Sequence, residues 1–112
     1  MAFVAIANVV DVSPGAMKKV LLGDKELLVI NLDGRFYTMD DRCVHMQGDL
    51  SAGTLTGNVV TCPRHGSQYD VRTGKVLRGP KIAFVKLQGK DMKVYETKVE
   101  GSAIMADIQS AA

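Results

Sequence analysis

Short runs in which apolar and polar residues alternate, separated by turn residues, extend along most of this chain. Runs of this length with a period of two predict β-strands that each bury one face. The predicted strands are 3–9, 18–22, 26–32, 35–39, 54–56, 59–61, 68–71, 75–77, 82–87 and 92–95. The pattern therefore predicts an all-β protein built from short antiparallel strands.

Glycine and its usual turn partners mark the connections between these strands. The strongest signal is Asp33-Gly34, because Asp-Gly between two apolar runs is typical of a two-residue type I′ hairpin. Further hairpins are expected at residues 23–25, at Gly57-Asn58 and at residues 72–74. A last hairpin is expected to join the predicted strands 82–87 and 92–95.

The order of these strands predicts one domain in two parts. A length of 112 residues is ordinary for a single domain. We expect a β-sandwich-like base from residues 1–39 and 82–95, and a smaller inserted lobe from residues 40–81. The pattern allows two structures for the tail 96–112: its apolar residues could form a docking face, or its end could be loose.

Composition excludes a helical membrane span and disfavours an export signal. Apolar residues make up 46% of the chain, but no run approaches the roughly 20 apolar residues that a spanning helix needs. Residues 1–10 are apolar but lack a cationic start and a cleavage site, so we interpret them as a first strand. A trimmed anchor remains the alternative.

Both cysteines and both histidines of the chain lie in two mixed pairs, Cys43-Val44-His45 and Cys62-Pro63-Arg64-His65. Two thiolates and two imidazoles are the ligands of a [2Fe–2S] centre with mixed ligation, and they also suit tetrahedral zinc. Zinc fingers usually group like ligands together, whereas each pair here can send its cysteine to one iron and its histidine to the other. The spacing therefore favours iron–sulfur over zinc.

Both pairs and their neighbours resemble the two cluster-binding boxes of the Rieske family. The first box is the stretch Cys43-Val44-His45-Met46-Gln47-Gly48, and the second runs Cys62-Pro63-Arg64-His65-Gly66-Ser67-Gln68-Tyr69-Asp70. The resemblance implies one Rieske [2Fe-2S] cluster. Its implied metal ligands are Cys43, His45, Cys62 and His65. A β-sandwich-like base that carries a cluster-binding subdomain is the fold that it implies.

Neighbouring positions indicate which kind of Rieske centre this is. In the respiratory branch an extra cysteine in each box forms a disulfide, but Gly48 and Arg64 occupy those positions here. The chain is therefore similar to the soluble Rieske ferredoxins of oxygenases. Ser67 and Tyr69 match residues that, in the respiratory branch, donate hydrogen bonds to a bridging sulfide and to the first cysteine sulfur. Gly79-Pro80 resembles the proline loop that covers the cluster.

Charge is unevenly divided between the two parts of the chain. Residues 42–81 carry six cations and two anions, a net charge of +4, while the remaining residues carry a net charge of −2. We expect the basic lobe to meet an acidic surface on a redox partner. No aromatic platform accompanies the arginines, which argues against a nucleic-acid partner.

The resemblance implies a soluble one-electron carrier in the cytoplasm that passes electrons from a reductase to an oxygenase or a respiratory component. If both cysteines bind metal no disulfide remains, which fits a reducing compartment. We expect a monomer, and no enzyme activity of its own, because filled metal positions leave no site for a substrate. The alternatives are a small Rieske subunit of a nitrite-reductase-like complex and a zinc-bound interaction module.

Overall fold

The computed structural model describes residues 3–42, 49–63, 66–78, 81–82, 85–86 and 91–108. Twelve strands form three antiparallel sheets in this part of the chain, and the only helical elements there are two 3₁₀ turns, Val9–Asp11 and Leu50–Ala52. The strands are β1 Phe3–Asn8, β2 Met17–Leu22, β3 Lys25–Leu32, β4 Arg35–Asp40, β5 Thr54–Thr56, β6 Val59–Thr61, β7 Gln68–Asp70, β8 Val76–Arg78, β9 Lys81–Ile82, β10 Val85–Lys86, β11 Val94–Glu100 and β12 Ala103–Asp107. The predicted all-β class is confirmed, and no helix among the described residues could cross a membrane.

Six strands in the order β1-β12-β11-β4-β3-β2 form the larger sheet, which we call the base sheet. Its β3–β4 hairpin turns at Asp33 and Gly34, whose φ angles of 54° and 94° are both positive, as a type I′ turn requires. Leu32 consequently pairs with Arg35, and the register continues to Leu27 and Asp40. The predicted two-residue hairpin is confirmed.

Four strands in the order β5-β6-β7-β8 form a smaller sheet, which we call the lobe sheet. Each of its strands has three residues, and the β5–β6 turn lies at Gly57-Asn58, as the sequence predicts. Val60 pairs with Leu55 on one side and with Tyr69 on the other. β6 ends just before the second sequence box, and β7 forms the last three residues of that box.

The predicted hairpin between 82–87 and 92–95 is wrong. β9 pairs instead with β10, and β11 pairs with β4 through Val94–Met39 and Tyr95–Thr38. β11 continues to Glu100, and the tail returns as β12, which pairs with both β11 and β1. Polar residues dominate β11 after Tyr95 because that stretch is largely exposed, and this composition hid the strand.

One apolar core joins the base sheet to the lobe sheet. Leu28, Ile30 and Met39 enter it from β3 and β4. From residues 50–71 it receives Leu50, Val60, Cys62, Tyr69 and Val71, and Met92 completes it. A cysteine of the second box is thus part of the packing between the two sheets.

Candidate metal centre

Three of the six predicted site residues lie in the described part of the chain. Cys62, Ser67 and Tyr69 fall on or beside β6 and β7. The other three, Cys43, His45 and His65, lie outside the described residues. Gly48, Arg64, Gly79 and Pro80 also lie outside them. The assignment of these residues as a ligand set therefore stays a prediction.

The second box begins with a tight backbone turn between β6 and β7. The Cys62 N–H donates a hydrogen bond of 2.8 Å to the Ser67 carbonyl, and the Gly66 N–H donates one of 3.2 Å to the Cys62 carbonyl. Gly66 has a φ of +76°, a left-handed conformation that glycine adopts without strain. The glycine in this box is therefore required by the turn that brings Ser67 back to Cys62.

Ser67 supplies a direct test of whether this site suits a sulfur-rich cofactor. Its side chain is fully buried, and its Oγ has no hydrogen-bond partner in the described part of the chain. A buried hydroxyl left without a partner costs about 1–3 kcal/mol. Cys62, at the other end of the same turn, is only 1% exposed. A buried hydroxyl donor beside a buried cysteine suits an iron–sulfur cluster, because sulfide and thiolate sulfurs accept hydrogen bonds.

Tyr69 is fully buried on β7 and belongs to the core that joins the two sheets. It pairs with Val60 on β6 and with Val76 on β8, so three strands hold it in place. Its predicted hydrogen-bond acceptor is the sulfur of Cys43, which lies outside the described residues. The predicted bond therefore remains a prediction, while the rigid placement of the ring is a structural finding.

The residues that flank the first box on its two sides meet beside the end of β4. Arg42 and Asp49 form an isolated antiparallel bridge, and the Leu50 N–H donates a hydrogen bond of 2.8 Å to the Asp41 carbonyl. The Asp41 carboxylate is fully buried and accepts hydrogen bonds from the Ser51 N–H at 2.7 Å and the Ser51 hydroxyl at 3.1 Å. The residues on either side of the segment 43–48 are thus fixed to each other.

Three carboxylates surround a single ammonium group beside this junction. The Lys19 Nζ lies 2.8 Å from Glu26, 3.2 Å from Asp49 and 3.7 Å from Asp41. The hydrogen bonds to Glu26 and Asp49 raise the pKa of Lys19. Burial raises the pKa of the Asp41 carboxyl, and the bonds from Ser51 oppose that shift. Since Lys19 already provides the cation for these three groups, they form an ion-pair network rather than a metal site.

Sequence reasoning missed this network. Asp41 and Asp49 stand just outside the two ends of the first box in the sequence, and that position is the one signal that the sequence offers. Lys19 pairs with Leu28 and Glu26 with Leu21 in the β2–β3 hairpin, so Lys19 and Glu26 are diagonal neighbours on adjacent strands. Nothing in the local sequence connects that hairpin to the first box.

Part of the basic charge of residues 42–81 is neutralised within the fold. Arg72 donates from Nε and Nη2 to the two carboxylate oxygens of Asp70, at 3.1 Å and 3.0 Å. This pairing lowers the pKa of Asp70 to about 2. Lys75 and Arg78 are exposed and form no ion pair with any residue that the structure describes. Among the lobe cations whose side chains the structure describes, these two are the ones open to a partner.

Comparisons with known proteins place these features in one family. Residues 2–96 match the sequence model of the Rieske [2Fe-2S] domain family. The chain is 34% identical over 113 residues to the biphenyl dioxygenase ferredoxin subunit of Pseudomonas sp. (strain KKS102), covering 100% of this chain and 97% of that protein. These findings confirm the Rieske-type cluster and the electron-transfer role that the sequence predicts.

Solved structures show the same fold. The ferredoxin of Sphingomonas yanoikuyae B1 superposes with a TM-score of 0.78 at 25% identity, covering 95% of this chain and 98% of that one. A chain from the complex of reduced oxygenase and oxidized ferredoxin in carbazole 1,9a-dioxygenase superposes with a TM-score of 0.73 at 28% identity, covering 93% of this chain and 91% of that one. With its sequence match, its fold and a buried Cys62–Ser67 turn that suits a cluster, this chain belongs to the Rieske [2Fe-2S] domain family and is an electron-transfer protein.

Proposed function

We propose that this chain is the ferredoxin of an oxygenase system, which accepts single electrons from a reductase and delivers them to a terminal oxygenase. The observation that carries the proposal is the full-length similarity to the ferredoxin subunit of a biphenyl dioxygenase. The superposition on a chain from an oxygenase–ferredoxin complex supports the same partner class. Such a carrier would work in the cytoplasm, where reductase and oxygenase components meet.

In the proposed site, Cys43 and Cys62 bind one iron, and His45 and His65 bind the other. A bound Rieske cluster supplies a centre that accepts and releases one electron. The described residues prepare its surroundings: Cys62 is buried in the core between the two sheets, and the unpaired Ser67 hydroxyl is available as a donor to sulfur. A donor aimed at sulfur stabilises the negative charge that reduction adds, so Ser67 would raise the reduction potential.

The lobe cations support docking on an acidic partner surface. Lys75 and Arg78 are exposed on the lobe without ion pairs among the described residues, whereas Arg72 is held by Asp70. Charges that are not compensated within the protein act most strongly on an approaching partner. The Arg72–Asp70 pair cancels, so the net charge of +4 on residues 42–81 comes from the five other cations against Asp49, and Lys75 and Arg78 are two of those five.

Stopped-flow reduction of a candidate oxygenase by the reduced holoprotein tests the proposal. We expect saturable one-electron transfer whose rate falls with salt, since exposed charges are screened beyond about 8–10 Å at physiological ionic strength. Lys75→Glu and Arg78→Glu should slow the transfer, whereas Lys98→Glu on β11 is the matched control and should change it little. Transfer that is absent for every oxygenase encoded near this gene would contradict the proposal, and rates indifferent to salt would contradict the acidic docking surface.

The two alternatives predict different behaviour on purification. A reductase subunit would co-purify with a large partner, and a zinc module would be colourless. The relatives reported above are named as ferredoxins or ferredoxin components, which favours the carrier.

A further inference from the structure

We infer that Asp41 is a positioning residue for the first ligand box, acting with Lys19 and Ser51 as a clamp that fixes segment 43–48 to the base sheet. This clamp, which we call the Asp41 clamp, consists of Lys19, Glu26, Asp41, Arg42, Asp49 and Ser51. The inference rests on the proposed ligand roles of Cys43 and His45. It assigns a function to residues outside the ligand set.

One side of the Asp41 clamp belongs to the β2–β3 hairpin. The Asp41 N–H donates a hydrogen bond of 2.9 Å to the Glu26 carbonyl. This bond extends the pairing of β3 with β4 beyond the Leu27–Asp40 pair. Lys19 on β2 extends across to the carboxylates of Asp41 and Asp49. The Arg42 Nε lies 3.4 Å from the Glu26 Oε2. The hairpin therefore holds residues on both sides of segment 43–48.

The other side of the clamp belongs to the 3₁₀ turn Leu50–Ala52, which leads into the lobe sheet. Three donors of this turn reach Asp41: the Leu50 N–H bonds its carbonyl, and the Ser51 N–H and hydroxyl bond its carboxylate. Asp41 is fully buried, so these bonds are protected from competing water. The backbone and side chain of Asp41 together thus connect the chain before the first box, the chain after it and the base sheet.

The residues that flank segment 43–48 can move away from the base sheet only if this connection opens. Cys43 follows Asp41 by two positions, so the clamp sets where the first box begins. The second box is fixed independently by β6 and β7. The relative placement of the two boxes, and hence the geometry available to a bound cluster, depends on the Asp41 clamp.

Two variants test the inference without touching a proposed ligand. Ser51→Ala removes one hydrogen bond to Asp41 and changes no charge, while Lys19→Met removes the central cation. The matched controls are Ser102→Ala, in the exposed β11–β12 turn, and Lys98→Met, which breaks a surface ion pair of 3.0 Å to Glu100. Iron loss to a chelator and the EPR line shape of the reduced protein are measured on each holoprotein, together with its melting temperature.

We expect Ser51→Ala and Lys19→Met each to speed iron loss by about tenfold, because losing one hydrogen bond to a charged group changes an equilibrium constant by about that factor. Each variant should also broaden the EPR signal. The double variant should lose iron more slowly than the product of the two single effects predicts, since both open one clamp. Lys19→Arg should recover most of the wild-type behaviour.

The inference would be overturned if the rate of iron loss changed only as far as the melting temperature does, in the clamp variants as in the two controls. It would also be overturned if the acceleration in the double variant equalled the product of the two single accelerations. A wild-type protein that carries no cluster would instead contradict the proposed site itself. A wild-type protein that transfers electrons while its clamp variants match the controls would contradict only the clamp.

Discussion

The base sheet and the lobe sheet reach a defined structure in different ways. β2, β3 and β4 of the base are joined by six register pairs at each interface. The strands of the lobe have three residues each, and no interface between them has more than three pairs. Isolated strands this short are marginal, so the lobe needs other contacts to stay ordered.

Those other contacts are close backbone approaches and individual side-chain bonds. Gly53 lies against the Thr61 carbonyl, and Gly74 against the Met92 carbonyl, so closely that a Cβ at either position would clash with it. The Met92 N–H donates a hydrogen bond of 2.7 Å to the Gly74 carbonyl, and the Val76 N–H donates one of 2.8 Å to the Asp91 carboxylate. The base has long strand pairing, whereas the lobe combines short strands with a close approach of its own at Gly53 and with its attachment to residues 91–92 at Gly74 and Val76.

Gly74→Ala breaks this attachment most directly and should have the largest effect. Gly74 combines a φ of +77° with backbone at the position a Cβ would take, so we expect a loss of about 3 kcal/mol or more in the free energy of unfolding. Gly57→Ala is the matched control, because it has a φ of +59° but open space around it, and should cost about 1 kcal/mol. Equal losses in urea unfolding would show that the close approach to Met92 contributes nothing.

Leu28→Ala compares the core that joins the two sheets with the core inside the base. Leu28 and Leu27 are both fully buried neighbours on β3, but Leu28 lies in the shared core and Leu27 packs with Tyr95 and Ala106. Either truncation should cost about 2–5 kcal/mol in thermal or urea unfolding. Only Leu28→Ala should also accelerate iron loss to a chelator, and equal acceleration by Leu27→Ala would contradict the division into two cores.

Ser67→Ala tests whether the lobe tunes the proposed cluster as well as holding it. Rieske centres span about −150 to +300 mV. We expect the variant to lower the midpoint potential by some tens of millivolts, since it loses one hydrogen bond to a charged acceptor. For a one-electron couple, about 59 mV corresponds to a tenfold change in the equilibrium constant of reduction. Tyr69→Phe should act in the same direction, and Ser102→Ala in the base sheet turn should leave the potential unchanged. A Ser67→Ala, Tyr69→Phe double variant with wild-type potential would contradict both hydrogen bonds.

The Asp70–Arg72 pair should give the smallest effect, and one that depends on pH. The folded state lowers the pKa of Asp70 to about 2 from an ordinary 3.8, so its contribution to stability is present above pH 4 and is lost as pH falls towards 2. Asp70→Asn should therefore be less stable than wild type at pH 7 by well under 1 kcal/mol, because the pair is close to solvent. The difference in urea midpoints should shrink below pH 4, and a difference that grows there would contradict the pairing.

The same contrast explains how much of the molecule the sequence predicts. Asp33-Gly34 and Gly57-Asn58 fix their hairpins through local backbone preference, so both turns are predicted correctly. β11 carries exposed polar residues after Tyr95, and β12, although apolar and largely buried, pairs with β1 at the far end of the sequence. Neither strand could be placed from the local hydrophobic pattern.

For the candidate site, sequence supplies the ligand types but not what supports them. Cys62 and Ser67 are recognisable from their box, and the structure shows why Ser67 lies beside Cys62. The contacts of Lys19 with Asp41 and of Gly74 with Met92 depend on tertiary packing, and no local pattern encodes them.

The most direct test of the proposed ligand set is EPR of the dithionite-reduced protein, purified without added metal, with pulsed measurement of nitrogen couplings. We predict one [2Fe–2S] signal with the low average g value of mixed histidine and cysteine ligation, and two histidine nitrogens coupled to it. His65→Cys should remove one of those couplings. A colourless zinc protein, a signal without nitrogen couplings, or a Cys62→Ser variant with the unchanged spectrum would contradict the assignment of Cys43, His45, Cys62 and His65.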